Sequence, residues 1–135
     1  MRISTATDRP EDGTTEVDLE ATADELTSLY RALGTTSAEL PASGEQDVPG
    51  TLVLTGIEVC REPGSLLRIS VDPDRRVLRI VGGERETRSF AANVLDIATE
   101  TPVGTRQRFT WFRDHFYLAP DTASLTVSLM AASSA

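Results

Sequence analysis

Lysine is missing from this chain altogether, and cysteine and histidine occur once each, as Cys60 and His115. Without lysine there is no phosphate loop of the Gly-x-x-x-x-Gly-Lys type, because that motif places a Lys on the phosphates. One histidine and one cysteine provide neither a His cluster nor a Cys pair for structural zinc, and no internal disulfide forms. No Gly-x-Ser-x-Gly elbow supplies a nucleophile for His115 to activate. No apolar run approaches the roughly 20 residues of a membrane helix, and the opening "MRISTATDRPEDGTTEVD" lacks the apolar centre of a signal peptide. A cytoplasmic protein is expected, with Cys60 as a buried structural thiol. No metal or cofactor is expected, and no residue is assigned a catalytic role.

What the chain does contain is an ordinary globular composition. It has 135 residues, 39% hydrophobic and 25% charged, enough for one core that buries about two-thirds of the unfolded surface. Its net charge of -8 is concentrated at one end. Residues 1–48 carry three Arg against eleven Asp and Glu, whereas residues 49–135 carry ten of each sign. A protein that grips nucleic acid nonspecifically needs a basic stripe to displace phosphate counterions, and none is present. An acidic first third favours a basic protein partner instead, through complementary potentials that steer encounter. That all thirteen cations are Arg reads as the coding bias of high-GC bacteria rather than as function.

Residues 1–13 are polar, with Pro10 and Gly13, and read as a flexible lead-in to a single domain spanning 14–131. "TEVDLE" (15–20) alternates Val17 and Leu19 against acids, the period of a half-buried strand. Thr22 and Glu25 then form a capping-box signature. Leu26, Leu29, Tyr30 and Leu33 follow at helical spacing before Gly34, which is read as a left-handed stop. Residues 35–49 read as a long Ser/Thr/Pro/Gly-rich loop carrying Glu39, Glu45 and Asp47. Three strand-like segments follow, at 51–60, 65–72 and 76–83, joined by "EPGS" and "DPDR" turns that imply antiparallel hairpins. The second helix runs from Gly83 toward Pro102, with Phe90, Val94, Ile97 and Ala98 on one stripe. "TRQRFTWFR", "HFYLAP" and "ASLTVSLM" read as three more strands. The order β-α-β-β-β-α-β-β-β implies an α+β fold, with both helices packed on one face of antiparallel sheet.

The stretch "RQRFTWFRDHFYLAP" (106–120) concentrates five of the seven aromatic side chains and the lone His115. Read as a hairpin turning at "RDH", it sends Phe109 and Trp111 to one face and Arg106, Arg108 and Phe112 to the other, with Phe116 and Leu118 opposite Tyr117. One aromatic face fills the core. The other, with Arg106, Arg108, Phe112, Tyr117 and His115, combines the residue types that dominate protein interfaces and is the strongest binding candidate.

"GTRQRFTWFRDHFYLAPDTASLTVS" (104–128) resembles the closing segment of the immunity protein 32 family, small bacterial proteins that neutralise toxins of polymorphic toxin systems. The "HFYLA" return followed by Ser and an alternating "LTV" strand carries the resemblance, and His115, Tyr117 and Leu118 fit it. Arg106, Arg108 and Thr110 depart from it, standing where family members carry His, His and Glu. The resemblance implies a non-catalytic protein that occludes a cognate toxin by stoichiometric binding. If that toxin is basic, Glu39, Glu45 and Asp47 join the candidate contacts. Two alternatives stand beside this reading, a homo-oligomeric structural or regulatory module and a small enzyme with a nonstandard carboxylate site.

Overall fold

Helix α1 (Ala23–Leu33) starts where the sequence places its cap. The Thr22 hydroxyl accepts the Glu25 amide at 3.2 Å, and the Glu25 carboxylate accepts the Thr22 amide at 3.0 Å. The same carboxylate takes a hydrogen bond from the Met1 ammonium. Leu26, Leu29 and Leu33 are buried, while Tyr30 is partly exposed on the flank. The helix does not end in a left-handed glycine. Gly34 stays right-handed (φ -82°, ψ -2°), and its amide reaches back to the Arg31 carbonyl at 3.1 Å. Helix α2 (Glu84–Glu100) buries Phe90, Val94 and Ile97 as its spacing requires, and it carries Glu84 and Glu86 at its positive end.

The computed structural model describes residues 1–6, 15–43 and 49–132. Two mixed sheets flank these helices. The first contains β1 (Arg2–Ala6), β2 (Glu16–Thr22), β4 (Thr51–Leu54), β8 (Arg106–Phe109) and β9 (Ser124–Met130), in the order β4-β1-β2-β9-β8. The second contains β3 (Ser37–Pro41), β5 (Gly56–Arg61), β6 (Arg68–Asp72) and β7 (Val77–Gly82), in the order β3-β5-β7-β6. Each sheet has one parallel pairing, β2 with β9 and β5 with β7, and its other neighbours run antiparallel. The class is α+β, as the sequence implies.

Four expectations are corrected. The lead-in begins with a strand, because β1 is hydrogen-bonded on both sides, to β2 and β4, and Ile3 is sealed in the core. The 35–49 loop contains β3, paired residue for residue with β5. Glu45 and Asp47 lie outside the described residues. "TLVLTGIEVC" is two strands in different sheets. Thr55 breaks the run, its amide donating to the Arg76 carbonyl at 2.6 Å while β4 and β5 diverge. "HFYLAP" forms no strand and adds only a bridge between Leu67 and Leu118. A continuous core joins the inner faces of both sheets to both helices, with the Phe90 ring edge-on to Phe109 at 5.0 Å.

Candidate protein-interaction surface

Beyond β8 the chain leaves the sheet and forms a knot of rings. The turn is closed by the His115 amide donating to the Phe112 carbonyl at 3.0 Å, with Asp114 in the left-handed region (φ 68°). Asp is among the few non-glycine residues that tolerate this conformation. Nδ1 of His115 accepts two amides, from Tyr117 at 3.2 Å and Leu118 at 3.1 Å. Two N–H donors on one ring nitrogen require that nitrogen to be unprotonated. Burial pushes the His115 pKa below its ordinary value, in the same direction.

The rings pack around this imidazole. Phe112 is tilted against it at 4.6 Å, Phe116 stacks on it at 5.6 Å and Tyr117 stands edge-on at 4.6 Å. Their exposures differ sharply. Tyr117, expected on the binding face, is 3% exposed, and its hydroxyl accepts from the Asn93 amide at 2.8 Å. Burial raises its pKa, and the Asn93 hydrogen bond partly offsets that. Phe116, expected in the core, is 76% exposed, with Phe112 at 59% and Trp111 at 39%. The hairpin reading fails because the segment is not a strand: Tyr117, Leu118 and Ala119 are buried in succession, so no two-residue alternation applies.

Downstream, residues 117–123 are zipped along the free edge of β6. The Leu67 amide donates to the Tyr117 carbonyl and the Ala119 amide to the Leu67 carbonyl, both at 2.8 Å. The Thr122 hydroxyl accepts the Ile69 amide, also at 2.8 Å. Phe112 and Phe116 therefore project from a loop fixed at both ends. Leu66, also exposed, joins Phe116, Tyr117 and α2 residues Arg85, Glu86 and Ser89 around a shallow groove of about 210 Å³. Leu66 gave no signal in the sequence, which reads it as part of a strand in an EPGS hairpin; that hairpin does not form, because β7 lies between β5 and β6.

Arg106 and Arg108 lie elsewhere, on the outer face of the five-stranded sheet, where they are ion-paired. Arg108 contacts Glu16 at 2.6 Å and Arg106 contacts Asp18 at 4.0 Å. Both reach across β9, whose residues in register with them are the short Ser128 and Thr126. Glu39 sits on β3, opposite Glu58, at the far edge of the four-stranded sheet from β6. The candidate residues thus separate into three places rather than one. Among the described residues no group of three His, Cys, Asp or Glu side chains is placed to hold a metal. No described helix is long and apolar enough to cross a membrane. Comparison with family models, curated proteins and solved structures found no match to the chain.

Proposed function

We propose that this chain is a non-catalytic protein-binding module that neutralises a cognate bacterial toxin by stoichiometric complex formation, using the 111–117 loop as its central contact. The observation that carries the reading is the exposure of Phe112 and Phe116 on a loop pinned by His115 and by the β6 edge. Exposed aromatic side chains on a rigid support bury large area at little entropic cost when a partner covers them, which is how interface hot spots work. The toxin class rests on the resemblance of residues 104–128 to an immunity family. Arg106 and Arg108, already matched to acids, contribute to the rim rather than the centre. Glu39, with Glu45 and Asp47, steers a basic partner toward the complex.

The test is co-expression of tagged protein with the product of the adjacent reading frame, followed by capture and by growth rescue where that product is toxic. A one-to-one complex with rescue is expected, and the Phe112→Ser/Phe116→Ser variant is expected to lose both while keeping its far-UV spectrum. A folded double variant that still binds and rescues removes the loop from the interface. Absence of any complex with the intact chain removes the toxin reading, and a stable dimer without partner favours the homo-oligomeric module.

A further inference from the structure

Several arginines are matched to acids, as in Arg68 with Asp121, Arg75 with Glu58 and Arg108 with Glu16. One groove gathers three arginines with little acid beside them. Where the last turn of α1 meets the first half of α2 and the end of β5, Arg31, Arg61 and Arg88 line one groove of about 390 Å³. The one carboxylate lining it among the described residues is Glu84, which is engaged by Arg88 at 2.8 Å. Among the described residues neither Arg31 nor Arg61 has a carboxylate within ion-pair distance. The Arg61 side chain has one hydrogen bond among the described residues, from Nη2 to the Leu33 carbonyl at a long 3.4 Å, and its buried Nε has no partner there. A buried guanidinium N–H without an acceptor is costly, so the charge of Arg61 is left under-compensated beside the groove it lines. Tyr30, Leu33 and Ala91 supply apolar wall.

We propose that this groove binds a small molecule made of an oxyanion head, phosphate or carboxylate, on a flat apolar body. The volume falls within the usual range of about 300–1,000 Å³ for ligand sites, and apolar walls with a few convergent polar groups are their usual lining. Guanidinium forks match both kinds of oxyanion, since each presents paired N–H donors to paired oxygens. Arg88 is free to turn toward the head, being exposed with only the i,i+4 pair to Glu84 to give up. Three positive charges against one negative gather here on a chain whose net charge is -8, so the field favours an anion locally where the molecule as a whole repels it. The groove shares no lining residue with the one beside the aromatic loop.

The experiment is an amide and Arg Nε–H NMR titration of the full chain with phenyl phosphate, benzoate and phenol. Saturable shifts are expected at residues 30–34, 84–91 and the Arg61 side chain with at least one of the two anions and not with phenol. Phosphate alone, carboxylate alone or both identify the head group. The exposed pair Arg31→Gln/Arg88→Gln should weaken the binding anion at least about tenfold, the scale of losing one charge-assisted hydrogen bond. No saturation by either anion, equal binding of phenol, unchanged affinity in the double variant, or shifts centred on Arg106 and Arg108 overturn the proposal.

Discussion

His115 organises the aromatic loop through an unprotonated Nδ1 that receives two backbone amides. Its pKa is depressed by burial, so the unfolded chain takes up a proton at pH values where the folded chain does not. Stability from this residue is therefore complete above its ordinary pKa of about 6.5 and falls as the pH drops below it. Melting between pH 8 and pH 5 should show that fall, and His115→Asn, which keeps a side-chain acceptor without the titration, should flatten it. Parallel curves for the two proteins would refute the assignment, since this is the only histidine. The residue types that mark this loop and the exposure of Phe112 were readable in the sequence, but the exposure of Phe116 and Trp111 and the burial of Tyr117 were not. Tyr117 and Phe116 exchanged roles because the chain here turns at Asp114 and then runs as irregular backbone, with Tyr117, Leu118 and Ala119 all buried, rather than as an alternating strand.

At the scale of elements, the capping box of α1 was fully legible, because its partners are three residues apart and need no tertiary information. Thr22→Ala should cost about 1 kcal/mol, measured as a lower urea midpoint with an unchanged slope. Burial acts to raise the Glu25 pKa, yet hydrogen bonds from the Met1 ammonium and Thr22 outweigh it and lower the value. The cap is accordingly strongest above the ordinary carboxylate range and weakens as acid protonates Glu25. A second element-scale test lies at the end of β7. A Cβ on Gly82 would stand 2.9 Å from both Cα and Cδ1 of Leu67. The Leu67 backbone is held by Tyr117 and Ala119, so it has little room to yield. Gly82→Ala should destabilise by about 1–3 kcal/mol in chemical denaturation and shift the Tyr117 and Leu118 amides. A neutral result would mean that the 117–123 segment gives way freely. In the sequence this glycine is only a position of the 76–83 strand-like segment, since the close approach comes from a residue fifteen positions earlier.

At the scale of the molecule, Phe90 ties α2 to β8 through its edge-on contact with Phe109. Phe90→Ala should cost about 3–5 kcal/mol, a large share of the roughly 5–15 kcal/mol typical of a domain. A loss below about 1 kcal/mol by calorimetry would place the centre of the core elsewhere. Charge also has to be read at this scale. The acids of β2 lie far in sequence from their counterions, yet Glu16 and Asp18 face Arg108 and Arg106 across a strand of short side chains. The acidic first third is thus not a single acidic face.

The sequence alone determined the two helices, the cap of α1, the α+β class and the inward set of β2. All of these follow from periodicity and from contacts within a few residues, where local sterics and burial decide. Only the tertiary structure decided that β1 and β3 are strands, that β2 lies parallel to β9, and that Thr55 divides one apolar run between two sheets. Those outcomes depend on backbone partners distant in the chain, and a strand's hydrogen bonds leave no mark on the identity of the residue that makes them. The gathering of Arg31, Arg61 and Arg88 around one groove, and of Leu66 beside Phe116, is of the same kind, set by which elements meet rather than by any local pattern.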